Sequence, residues 1–112
     1  MDIKLIKRKN ILIVRLTGEL DHHTALKLKQ TIEQELSKNT VLHLVINLKE
    51  LSFIDSSGIG VILGRYRQFK EKGGQVVLCG LNRHTERILQ MGGVLKVIKA
   101  FHTENEAINA LG

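Results

Sequence analysis

The sequence predicts an α/β domain in which helices pack on a mixed, largely parallel β-sheet. Three observations carry this. Short apolar runs alternate with longer stretches of helical period. The runs VLHLVINL and QVVLC are apolar almost throughout, as strands covered on both faces require. At 112 residues, 43% of them hydrophobic, the chain fits one domain, residues 1–112, with one core that needs no staples.

The elements follow in order. IKLIKRKNILIVRLTG reads as two strands turning at Lys9-Asn10. ELDHHTALKLKQTIEQELSK reads as a helix. Asp21 is placed to cap it, and Ala25, Leu28, Ile32 and Leu36 recur on one face. VLHLVINL is the next strand. FIDSSGIGVILGRYRQFKEKGG then opens a second helix, with Ile59, Ile62, Leu63, Tyr66 and Phe69 on one stripe and Gly73-Gly74 as its stop. QVVLCG is a buried strand. Asn82 caps a short helix through about Met91, and Gly92-Gly93 breaks the chain. VLKVIKAF holds a last strand. Thr103 and Glu106 have capping-box spacing for a final helix to Leu111. The order is β-β-α-β-α-β-α-β-α, and right-handed crossovers are expected.

Lys plus Arg number 17 and Asp plus Glu 11, a net charge of +6. This favours acidic partners. The basic residues are scattered, with small clusters at Lys7-Arg8-Lys9 and at Arg65, Arg67, Lys70 and Lys72. No aromatic platform is interleaved with them, so a solvated basic face is expected rather than a nucleic-acid site. The lone Cys79 reads as a small buried hydrophobe in a strand, and a reducing compartment follows. No run approaches the ~20 apolar residues of a membrane span. The N-terminus lacks the apolar core of a signal peptide. A cytoplasmic protein without a membrane partner is expected.

Ser56 and Ser57 need an account. A helix cap at Asp55, Ser56 or Ser57 explains these residue types, though not two serines together with two glycines. Gly58, Gly60 and Gly64 make a glycine-rich helix start, but the Lys-Ser/Thr of a phosphate-binding loop is missing, so no cofactor is expected. A serine nucleophile needs a base, and nothing in the spacing of His22, His23, His43, His84 and His102 selects one. The chain is therefore not read as an enzyme. Adjacent His22 and His23 point about 100° apart on a helix and make poor joint metal ligands. The last possibility is a modification site, with hydroxyls presented at a helix mouth and bare glycines that let a partner approach.

LTGELDHHTA, LSFIDSSGIGVILGRY, QVVLCG and ILQMGG together resemble the anti-sigma factor antagonists, which are single STAS domains. The resemblance covers nearly the whole chain. Asp-Ser-Ser-Gly marks the wider family, and Gly-Glu-Leu-Asp-His-His-Thr-Ala points to its sporulation branch, that of stage II sporulation protein AA. The resemblance implies a partner-switching protein. The unphosphorylated form binds an anti-sigma factor that is also a serine kinase, which frees the sigma factor. The kinase then phosphorylates the antagonist and loses it, and a PP2C-type phosphatase restores it. The implied phosphoacceptor is Ser56. Asp55, Ser57, Gly58 and Ile59 are implied in the docking surface, and Asp21 as a charged contact to the kinase. The alternative is a STAS module of another pathway, in stress signalling or beside a transporter.

Overall fold

The computed structural model describes residues 1–38 and 40–111. Lys9, in the left-handed region at φ 55, turns strand β1 (Asp2–Arg8) back onto β2 (Ile11–Leu20) as an antiparallel pair. Helix α1 (His22–Lys38) leads to β3 (His43–Ile54), α2 (Ser56–Glu71) to β4 (Val76–Cys79), and α3 (Arg83–Met91) to β5 (Ala100–Phe101); α4 (Glu104–Ala110) closes the chain. The sheet order is β1-β2-β3-β4-β5, with every pair after the first parallel. The α/β fold and the element order are as the sequence predicts.

Each crossover moves one strand further in the same direction. Crossovers of one hand therefore lay α1, α2 and α3 on the same face of the sheet. There Leu28, Ile32, Ile62, Phe69 and Leu89 meet Leu12, Val14, Leu44 and Ile46 in the main core. The other face is covered by α4, whose Ala107 packs on Ile11, Ile13, Val45, Val77 and Cys79. Burial there pushes the Cys79 thiol up to about 12, so it is an inert hydrophobe.

Two expectations need correction. VLKVIKAF is mostly not a strand. Gly93, at φ 79, starts a single 3-10 turn over Val94–Lys96, and only Ala100–Phe101 pair in the sheet. Val94 and Ile98 are buried while Lys96 between them is exposed, which suits a helical turn better than a strand, where all three would share a face. The basic cluster on α2 also divides. Arg65 is buried on the stripe of Gly58, Ile62 and Phe69, with Nη1 3.5 Å from Glu33 Oε1 of α1. Lys72 lays its ammonium over the Phe69 ring and donates to the Val41 carbonyl at 2.6 Å.

Candidate docking and modification site

Leu20 and Ile54 are register partners at the C-terminal ends of β2 and β3. Asp21 and Asp55 therefore leave neighbouring strands at the same level, and each caps the helix that follows. Asp55 has extended backbone, and its Oδ1 accepts from the N–H groups of Ser57 at 2.9 Å and Gly58 at 3.2 Å. Its own N–H donates to the Leu20 carbonyl at 3.2 Å, which ties the start of α2 to the end of β2. Asp21 Oδ1 accepts from the N–H groups of His23 and Thr24, both at 3.0 Å. The bond from Thr24 N–H holds the Asp21 carboxyl below its ordinary value. Thr24 Oγ1 accepts from Asp21 N–H at 2.8 Å, completing a reciprocal cap.

The cap assignment frees both serines. Ser56 is the first residue of α2 and is exposed; Ser57 is half-buried. Neither hydroxyl has a hydrogen-bond partner among the described residues. Gly58 is buried, because a Cβ there would come within 2.8 Å of the Ile54 and Leu20 side chains. It is glycine for packing, and it lets α2 descend onto β2. Gly60 and Gly64 differ, since an added Cβ at either meets no atom within 4 Å. They leave the outer face of α2 bare. Ile59 is half-buried against Gly92, where an added Cβ would lie 2.7 Å from its Cδ1.

The tertiary structure thus gathers Asp21, Asp55, Ser56, Ser57, Gly58 and Ile59 at one end of the helical face. It adds two apolar residues that pattern reading passed over. Phe53 precedes the site on β3 and is 41% exposed; Met91, next to Gly92, is 82% exposed. An apolar residue on the outer side of a helix stop was the signal for Met91. His22 and His23 stay exposed with their rings edge-on at 5.7 Å, and no group of three potential metal ligands occurs among the described residues. None of the site residues lines the cleft of about 720 Å³ on the opposite face of the sheet, beside Arg15, Asn47 and Glu104. The surface at Ser56 is suited to docking rather than to enclosing a small molecule.

The chain matches the model of the STAS domain over residues 2–107. It belongs to the STAS domain family. Among relatives, it is 39% identical over 111 residues to an anti-sigma F factor antagonist of Paenibacillus polymyxa, covering 99% of this chain and 95% of that one. It is 33% identical to the anti-sigma-B factor antagonist of Listeria monocytogenes, over 80% of this chain and 77% of that one. Its fold superimposes on the unphosphorylated form of the anti-sigma factor antagonist SpoIIAA with TM-score 0.84 and 30% identity, covering 97% and 95% of the two chains. The phosphorylated form of the Bacillus SpoIIAA gives TM-score 0.77 at 29% identity, over 99% and 100%. This STAS domain therefore lies among the anti-sigma factor antagonists. No helix in its described residues is long and apolar enough to cross a membrane.

Proposed function

We propose that this STAS domain is an anti-sigma factor antagonist of the sporulation type, acting as one unit over residues 1–112. Its unphosphorylated form binds an anti-sigma factor that is a serine kinase and releases the sigma factor. Phosphorylation of Ser56 by that kinase ends the complex, and a PP2C-type phosphatase resets it. It acts in the cytoplasm, as a binding protein rather than an enzyme. The observation that carries this reading is the exposed, unpartnered Ser56 hydroxyl at the first position of α2, outside the cap that Asp55 already supplies.

The same geometry selects a switching mechanism. A phosphoserine carries about −1.5 to −2 charge near neutral pH. At the first turn of a helix that charge is favourable by roughly 0.3–1 kcal/mol. The cap itself is untouched, because Asp55 and not Ser56 makes it. Phosphorylation therefore leaves α2 folded and acts on the partner. It sets a bulky anion beside Asp55 and Asp21 on a surface otherwise made of small and apolar groups. Asp55, Ser57, Ile59 and the exposed backbone at Gly60 form the contact, with Gly58 packed beneath it and Asp21 as its charged border.

The test is incubation with ATP and the cognate anti-sigma kinase, read by intact mass and peptide mapping. One phosphoryl group is expected on the wild type and on Ser57→Ala, and none on Ser56→Ala. Phosphate on Ser57, or none from a kinase active on another substrate, would overturn the assignment. The anti-sigma-B relative at 33% identity favours stress signalling as the second reading. Offering the chain a sporulation kinase and a stress kinase together separates the two.

A further inference from the structure

We infer that the outer edge of β1 is a self-pairing surface, on which two copies of this chain join β1 to β1, antiparallel and centred on Leu5, to make one continuous sheet. β1 ends the strand order on one side, and β2 is its only partner among the described residues. The edge is open: Asp2, Lys4, Lys7 and Arg8 are exposed, and Ile3, Leu5 and Ile6 are half-buried. The register fixes which backbone groups face outward. His43 N–H donates to the Asn10 carbonyl at 3.1 Å, so Asn10 faces β3. Backbone polar groups alternate in direction along a strand, so Ile11, Ile13, Arg15 and Thr17 face β1. Their register partners Arg8, Ile6, Lys4 and Asp2 take those bonds. Ile3, Leu5 and Lys7 therefore turn N–H and C=O outward. No backbone bond from another element reaches them among the described residues.

Exposed strand edges are ordinarily guarded by charge, and β1 carries Lys4, Lys7 and Arg8. The placement of these charges selects both the partner and the register. With Leu5 opposite Leu5 of the second copy, Asp2 stands opposite Arg8, and Arg8 opposite Asp2. Both are exposed, and neither is held in a salt bridge among the described residues. Lys4 then faces Ile6 and Lys7 faces Ile3, so no two lysines stand directly opposite. The outward groups of Ile3, Leu5 and Lys7 meet those of Lys7, Leu5 and Ile3, and all of them are paired. The neighbouring registers are worse. Centring on Lys4 sets lysine against lysine, and centring on Ile6 sets Lys4 against Arg8.

Ile3 and Leu5 border the main core, and Ile6 borders the cluster beneath α4. Pairing carries both apolar layers across the joint, with Leu5 on Leu5 on one face and Ile6 under the aliphatic stem of Lys4 on the other. One strand pair is a small interface, so the association is weak and depends on concentration. The two-fold axis of an antiparallel pair stands perpendicular to the sheet. It keeps both helical layers on one side and turns the strand ends opposite ways. β2 lies between β1 and β3, which sets the Ser56 surface at the end of β3 roughly 10 Å, two strand spacings, from the joint. The pair therefore presents two Ser56 surfaces that point in opposite directions, and both stay open.

The test is sedimentation equilibrium of the untagged full chain, from micromolar to millimolar protein. The mass should rise from one chain toward two. Asp2→Arg alone, or Arg8→Asp alone, sets like charges opposite each other and should weaken association roughly tenfold. Asp2→Arg with Arg8→Asp exchanges the signs and should restore it. Leu5→Pro removes an outward N–H, which an edge strand tolerates, and should abolish association. Urea unfolding checks that each variant is folded. In the ¹⁵N-labelled chain, amide shifts with concentration should centre on Ile3, Leu5 and Lys7. A single chain at millimolar protein, a double variant no better than either single one, or shifts centred away from β1 would each overturn the proposal. So would an acidic strand peptide that titrates β1 while the chain stays single, since the occupant would then be another protein. Self-association is read without kinase or ATP, so a chain that fails as a kinase substrate loses only the Ser56 reading.

Discussion

The two faces of this sheet are covered differently. On one, α1, α2 and α3 bury Leu28, Ile32, Ile62, Phe69 and Leu89 against aliphatic strands. On the other, the seven-residue α4 covers only the part around Val45, Val77 and Cys79. Beyond it, Glu104 at the start of α4 accepts from Arg15 Nη2 at 2.8 Å and Nε at 3.0 Å, and from Asn47 Nδ2 at 2.9 Å. Aliphatic packing is non-directional and scales with area, so it can hold a broad helical layer. A short helix buries too little area to be held that way alone. Three directional bonds fix its place instead. The docking surface belongs to the first face but sits at its end, where helix caps rather than core side chains set the geometry.

Substitutions test how far this contrast runs. The largest expected effect is in the helical layer. Phe69→Ala removes a fully buried ring and should cost about 3–5 kcal/mol, read by urea unfolding. A loss near 1 kcal/mol would mean that the layer collapses around the cavity and is less close-packed than its burial implies.

On the α4 face, Glu104→Gln keeps the shape but removes the charge. It should cost about 1–2 kcal/mol at neutral pH, because Arg15 is partly solvated and screens the loss. The pH dependence sharpens the point. The bonds from Arg15, then from Asn47, hold the Glu104 carboxyl below its ordinary 4.5 in the folded chain. A depressed folded value contributes stability that is complete above the ordinary value. It is lost as the pH falls through the folded one. The gap between wild type and Glu104→Gln should therefore be full above the ordinary carboxylate value and close as the pH falls below it through the lowered folded value. A gap that persists at the acid end would assign the bond network to shape rather than charge.

The smallest effect is expected at the docking end. Asp55→Ala removes the cap of α2 and should cost about 1 kcal/mol by urea unfolding. A cost as large as that of Phe69→Ala would show that the cap organises the core, contrary to the separation drawn above.

Local patterns were legible in the sequence to different depths. Asp21, Asn82 and Thr103 cap helices as their spacing indicates, because a cap is a bond between residues two or three apart. The helical stripe of α2 was readable in part. Its buried positions Gly58, Ile62, Arg65 and Phe69 keep helical spacing, but the charge of Arg65 argued for solvent. Only the approach of Glu33 on α1 lets an arginine stay there. In VLKVIKAF the apolar residues suit either a strand or a turn of helix, and eight residues are too few to decide. Gly93 and the burial of Val94 and Ile98 decided it.

The Asp-Ser-Ser-Gly start of α2 and the capped start of α1 were plain in the chain, each as a separate local feature. Sequence alone thus determined which segments are helix or strand apart from VLKVIKAF, where most helices begin, and that Ser56 stands at a helix mouth. The tertiary structure decided what lies beside what. It set Asp21 level with Asp55 through the pairing of Leu20 and Ile54, and seated Ile59 on Gly92. Caps and periods act over a few residues and are written into neighbouring positions. Adjacency between strands is set by register and by which core side chains fill the space between layers, and those terms exist only once distant parts of the chain meet.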